Sequence, residues 1–119
     1  MKKENIVDHS ENKILHNIEN YDLLISFGYR HIISKENLQK CKRPPVNLHI
    51  SYLPYNRGVH PNFWAWYENT EHGVTIHHID ENVDTGNIIL QEKVFFKKKI
   101  LLSDSYDILI ERIEKLFLK

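Results

Sequence analysis

The chain has 119 residues, a length that fits one domain, and its 41% hydrophobic and 27% charged residues are those of an ordinary globular protein rather than a disordered one. Lys plus Arg and Asp plus Glu both number 16, and this balance argues against a nucleic-acid binder, whose affinity rests on excess basic charge. Cys41 is the only cysteine, so no intrachain disulfide can form and a reducing, cytoplasmic compartment is expected.

The first residues, MKKENIVDHSENK, hold no apolar core of a signal peptide, and no apolar run approaches the ~18 residues that would cross a membrane. Ile14, Leu15 and Ile18 stand at helical spacing within Ser10 to Asn20, with Ser10 as N-cap. Leu23 to Phe27 (LLISF) reads as a short strand covered on both faces, and Gly28 begins a turn. Little chain precedes LLISF to pair with its outer edge, and a bare apolar edge is an association hazard. Either a partner chain, a second copy or a complementing one, is therefore expected to cover that edge, or the polypeptide is part of something longer. Ser34 caps a short helix that Pro44-Pro45 stops before an extended strand, Val46 to Ile50.

After a turn at Asn56-Arg57-Gly58, Pro61 to Glu68 (PNFWAWYE) reads as a helix with proline in its first turn. Most of its aromatic side chains are expected in core packing, with Trp64 and Tyr67 as the ones able to reach a ligand. Gly73 to Ile79 alternates as a strand, with Val74, Ile76 and His78 on one face and Thr75, His77 and Ile79 on the other. Asp80 to Gly86 is a polar loop and Ile88 to Phe96 a further strand, whose Lys97-Lys98-Lys99 end is solvated. Ser103 to Leu118 closes the chain as an amphipathic helix, with Leu109, Ile113, Leu116 and Phe117 on its apolar stripe. The expected architecture is a mixed sheet of about four strands with flanking helices, an α/β fold.

Asn47 and His49 stand two apart on a strand and so face the same way. An amide can donate to an oxyanion, and an imidazole can take or give a proton near neutral pH. Asp84, in the loop after the next strand and beside Gly86, is the best candidate for a carboxylate that tunes the ring. The three suit attack of an amine on a carbonyl with no nucleophile from the protein. Ser51 lies nearby without the surroundings of a nucleophile elbow. More commonly, an Asn-x-His pair on a strand simply satisfies backbone groups beside a turn. Eight histidines invite a metal site, but His77 and His78 alternate to opposite faces, so none is expected.

With these residues in place, the sequence resembles the formyltetrahydrofolate-dependent formyltransferases. Asn47-Leu48-His49 runs into Ser51-Tyr52-Leu53-Pro54-Tyr55-Asn56-Arg57-Gly58, and Gly73-Val74-Thr75-Ile76-His77 runs into Asp80-Glu81-Asn82-Val83-Asp84-Thr85-Gly86. The resemblance covers about Tyr21 to Phe96. It implies an incomplete Rossmann-like core, 1–119 forming a single catalytic domain, with the strands that normally precede LLISF largely missing. It implies catalytic roles for Asn47, His49 and Asp84. It implies 10-formyltetrahydrofolate as formyl donor, held by Phe27, Gly28, Tyr29, Arg30, His31, Ile32 and Ile33 and by Asp80, Glu81, Val83 and Asp84.

The stretch Ile50 to Gly58, with Pro61-Asn62-Phe63-Trp64, is most similar to the sugar N-formyltransferases, which act on nucleotide-linked amino-dideoxy sugars for bacterial surface glycans such as lipopolysaccharide O-antigen. Tyr52, Arg57, Trp64, Tyr67 and His77 are the expected substrate contacts; Arg57 serves equally well as a loop tie. Methionyl-tRNA and glycinamide ribonucleotide are the alternative substrates. A truncated relic that binds folate or dimerises without catalysis is the alternative function.

Overall fold

The computed structural model describes residues 17–28 and 33–119. The expected N-terminal helix and the folate-loop candidates Tyr29, Arg30, His31 and Ile32 therefore fall largely or wholly outside the described residues. Of the former, Ile18–Asn20 is a single 3₁₀ turn with Ile18 buried.

Four strands form one mixed sheet in the order β1 (Ile25–Phe27), β2 (Val46–His49), β3 (Gly73–His78) and β4 (Ile88–Lys93). β1 and β2 run parallel; β2–β3 and β3–β4 are antiparallel. Helix α1 (Lys35–Lys40) begins where the Ser34 side chain accepts from Asn37 N, as its sequence predicts. Helix α2 spans Pro61–Glu68, with proline in its first turn and Asn69 in the left-handed conformation at its end. Helix α3 (Leu102–Phe117) packs across β2, β3 and β4 and also meets α2.

The core lies between α3 and one face of the sheet. Leu109, Ile113 and Leu116, four and three residues apart, are one buried helical stripe. They meet Leu48, Val74, Ile76 and Val94. The β2–β3 register sets Leu48 opposite Ile76, and Asn47 opposite His77. Since side chains alternate across a strand, that register gives the sheet an apolar face under α3 and a polar face carrying Asn47, His49, Thr75 and His77.

Several expectations are corrected. Phe117 is 37% exposed, off the buried stripe, because the stripe's period already closes at Leu116. β4 stops at Lys93, not Phe96; Val94 leaves the ladder to donate from its N–H to the carbonyl of His72 and buries its side chain in the core. Leu23 to Phe27 is not covered on both faces: β1 holds only three residues at the sheet's end, and Ile25 and Phe27 are 42% and 45% exposed. In α2 the aromatic residues do not supply the core. Asn62 and Ala65 are the buried ones, while Phe63, Trp64 and Tyr67 group on the exposed side with rings 5.2–6.0 Å apart. Asn62 Nδ2 and Trp66 Nε1 both donate to Ser105 Oγ, which donates to Leu102 O, so the α2–α3 joint is polar. His72, in the loop before β3, packs against Trp66 and Phe96 at 4.3 and 5.2 Å.

Candidate active site

The polar face of the sheet is roofed by two segments. Residues 51–58 double back over the face: Ser51 Oγ donates to Tyr55 O, and Leu53 N donates to Thr75 Oγ1. Gly58 adopts φ 94°, a backbone conformation that L side chains rarely adopt, and this turns its N–H inward. Residues 80–86 approach from the far side. Asp80 Oδ1 accepts from Asn82 N and Thr85 Oγ1, folding that loop on itself and leaving Glu81 and Val83 exposed. A Cβ on Gly86 would land on the carbonyl oxygen of His78, so only glycine lets the loop return this close to β3.

The two roofs meet at Asp84, whose own φ of 54° aims its carboxylate inward. Gly58 N donates to Oδ2 at 2.8 Å and Asn47 Nδ2 donates to Oδ1 at 3.2 Å. His77 Nε2 stands 3.3 Å from Oδ1, and His49 Nδ1 stands 3.7 Å from Oδ2. Arg57 Nε donates to the Asp84 carbonyl at 3.1 Å, so of its two expected roles the structure displays the loop tie. Asn47, His49 and Asp84, from two segments of the chain, thus converge on one point.

The electrostatics separate the two rings. Burial pushes His49 below its ordinary value; the Asp84 charge and the bond to Asn56 O pull back, without prevailing. Burial also acts to lower His77, but its contact with Asp84 and its bond to the His78 carbonyl outweigh this and raise it. For Asp84, burial alone would raise the carboxyl, yet His77, His49 and the Gly58 N–H together hold it below the usual carboxylate range. At neutral pH the group is therefore an anion beside a neutral His49. His49 Nε2 lies 3.0 Å from Asn56 O, an acceptor only, so a neutral ring carries its proton there and leaves Nδ1 as the base facing Asp84.

Other expected residues lie elsewhere. His77, placed on the substrate side by the sequence reading, is enclosed at 2% exposure, because the register puts it directly across from Asn47. Phe27 is paired with Leu48 and so points to the α3 face, where it and Gly28 border a groove of about 370 Å³ with Tyr106, Asp107 and Ile110. Ile33 is buried, so neither its side chain nor its main chain lines an open surface. Tyr52 packs on Gly73 and beneath Lys93 Nζ. That is the opposite end of β3 from His77, four residues or about 13 Å away at ~3.3 Å per residue. Trp64 and Tyr67 sit on α2, which packs on α3 and on no strand; Tyr67 borders a second groove, of about 360 Å³, with Phe63, Trp66, Ile100 and Leu102. Neither groove touches the Asp84 cluster.

Sequence reading missed the supporting groups: the Gly58 N–H, the Asn56 carbonyl, and Gln91, whose Nε2 donates to Leu53 O and Thr75 Oγ1. Only Gly58, at a turn beside the candidate strand, carried a readable signal. Among the described residues, no group of three His, Cys, Asp or Glu is arranged to hold a metal ion, and no helix is long and apolar enough to cross a membrane.

Residues 3–116 match the formyl transferase family, and the chain belongs to that family. Over 74 residues it is 42% identical to a GDP-perosamine N-formyltransferase of Brucella melitensis, covering 61% of this chain and 29% of the relative. Over 99 residues it is 34% identical to a methionyl-tRNA formyltransferase of Clostridium acetobutylicum, covering 82% and 32%. The formyltransferase PseJ from Anoxybacillus kamchatkensis, in complex with UDP-4,6-dideoxy-4-formamido-L-AltNAc and tetrahydrofolate, has a similar structure. The TM-score is 0.84 at 43% identity, over 89% of this chain and 58% of PseJ. The chain thus spans about a third of the curated relatives' length and somewhat more than half of PseJ.

Proposed function

We propose that this chain is a single formyltransferase core domain, acting in the cytoplasm, that transfers formyl from 10-formyltetrahydrofolate to the amine of a nucleotide-linked amino-dideoxy sugar used in bacterial surface glycans such as O-antigen. The observation that carries the reading is the meeting of Asn47, His49 and Asp84 at hydrogen-bonding and ion-pairing distance on the polar sheet face. The sugar is favoured over transfer RNA by 42–43% identity to two amino-sugar relatives against 34% to the methionyl-tRNA enzyme, and by the zero net charge. In this scheme the neutral amine attacks the formyl carbon and the acyl oxygen becomes an oxyanion, to which Asn47 donates. A proton leaves the new ammonium for His49 Nδ1, where Asp84 compensates the charge. It then passes to the folate nitrogen as the carbon–nitrogen bond to folate breaks.

In this reading the folate is held at the loop of residues 80–84, where the exposed Glu81 and Val83 offer main-chain groups and an apolar side chain. The test is to incubate the chain with 10-formyltetrahydrofolate and UDP- or GDP-linked amino sugars, and to read formamide formation by mass spectrometry. Asn47→Ala, His49→Ala and Asp84→Ala should each lower turnover by about 10²-fold or more. Near-normal turnover in all three would reject the assignment, and faster transfer to methionyl-tRNA or glycinamide ribonucleotide would reject the sugar. The alternative is a chain that binds folate or dimerises without catalysis. Folate binding without formyl transfer to any of these amines would select it.

A further inference from the structure

The polar cluster holds one side chain that the formyl-transfer scheme leaves idle. Three atoms, Asn47 Nδ2, His77 Nε2 and Asp84 Oδ1, form a nearly equilateral triangle with sides of 3.1, 3.2 and 3.3 Å. The amide end of Asn47 must be its NH₂, because an amide oxygen set 3.2 Å from a carboxylate would repel it. His77 Nδ1 lies 2.8 Å from the carbonyl oxygen of His78, which can only accept, so Nδ1 carries a proton in either charge state. The remaining variable is Nε2. When it is bare, it and Asp84 Oδ1 both draw on the Asn47 amide. The two acceptors lie about 60° apart as seen from Nδ2, whereas the two N–H bonds of a planar amide diverge by about 120°. The amide is then held in a compromise between them. When Nε2 is protonated it can no longer accept, and it donates to Asp84 Oδ1 instead. One Asn47 N–H then aligns on Asp84 and the other is released from the cluster.

The geometry points to His77 as a positioning residue whose Nε2 proton directs an Asn47 N–H out of the cluster and toward the acyl oxygen of the formyl donor. This deepens the formyl-transfer reading and rests on it for the identity of the acceptor. His77 faces Asp84 and Asp80 from the loop after β3, and His49 from β2 at a ring distance of 6.4 Å; Arg57 reaches the cluster through the Asp84 carbonyl. The two carboxylates favour the protonated ring, and burial opposes it. Asn47, like Asp84, is half-buried, whereas His49 and His77 are enclosed, so a released N–H on Asn47 has somewhere to go.

The decisive measurement is a pH titration of the ¹⁵N-labelled full chain by NMR. Long-range ¹H–¹⁵N spectra identify which His77 nitrogens are protonated, and the Asn47 side-chain amide is followed in the same samples. The expected result is a neutral His77 protonated on Nδ1, with the Asn47 amide resonances moving at the same midpoint as the His77 ring. In His77→Gln that transition of the amide should vanish. An Asn47 amide that stays fixed while His77 titrates would overturn the proposal, as would a neutral ring protonated on Nε2. The wild-type titration stands even if the variant does not fold. A kinetic arm keeps the two readings apart: above the His77 midpoint, turnover should fall about tenfold per pH unit, as for one required proton. A matched amide titration in a chain that transfers no formyl group would sink the formyl-transfer reading and leave the coupling standing. Full turnover above the midpoint would sink the coupling alone.

Discussion

Asp84 is the residue on which the others depend. It gathers a backbone N–H, an amide and two rings around one carboxylate that is 10% exposed. Removing it strands the Gly58 N–H and the Asn47 amide in a partly closed site. Asp84→Ala should therefore cost about 2–4 kcal/mol of folding stability, from the penalty for buried donors left unpaired, measured by urea denaturation. The same group makes stability depend on pH at both ends. Asp84 is depressed in the fold, so its contribution is present above the ordinary carboxyl value and disappears as pH falls through its depressed value. His77 is raised, so its contribution is full below the ordinary imidazole value and disappears as pH rises through its elevated value. The urea midpoint should peak between these limits, and His77→Gln should abolish the decline on the alkaline side. Turnover should follow a related window, rising as His49 becomes neutral and falling as His77 loses its proton.

At the level of elements, the sheet works because β2 and β3 are two-faced. Leu48, Val74 and Ile76 anchor to α3 while Asn47, His49, Thr75 and His77 stand opposite. The anchor is tight, with Leu109 and Ile113 at 1% and 0% exposure. Ile113→Ala should cost about 2–5 kcal/mol, the usual range for opening a cavity of that size in a core. A subtler dependence lies in the return of the 80–86 loop. Gly86→Ala places a methyl on the His78 carbonyl, so the loop must lift and carry Asp84 with it. The expected loss is about 1–3 kcal/mol of stability together with the pH signature of His77, read by the same denaturation and NMR experiments. By contrast, Tyr52→Phe, at the other end of β3, should leave that signature unchanged.

At the scale of the molecule, the sheet ends in two edges that the described residues cover thinly. β1 presents Ile25 and Phe27 at 42% and 45% exposure, and β4 presents Ile88, Ile89 and Leu90 at 41–47%. Edges of this kind pair with other chains unless charge or cover prevents it. The chain should therefore associate in a concentration-dependent way in sedimentation experiments. Ile25→Lys, on the exposed part of β1, should shift that association to higher concentration. Unchanged association in that variant would place the contact on another surface, with the β4 edge the next to test.

Much of this architecture was legible from local rules. Alternation at period two picked out Gly73 to Ile79, one residue beyond β3, period 3.6 picked out Leu109, Ile113 and Leu116 but also the exposed Phe117, and the Ser34 cap and Pro61 marked two helix starts to the residue. The pairing of Asn47 with His49 on one face was legible for the same reason, since two residues on one strand need no tertiary information. Of the partners 30 and 37 residues away, Asp84 was a candidate from its loop position, but the contacts themselves were not legible. That His77 closes over Asn47 depends on the β2–β3 register, and that Asp84 reaches both depends on a left-handed residue and a glycine pressed against β3. Likewise no local pattern distinguishes the buried Asn62 from the exposed Trp64, because polar bonds to Ser105, 43 residues on, decide which side of α2 turns inward. Short-range sterics write themselves into neighbouring residues; long-range register and burial are collective, and exist only once the chain has closed on itself.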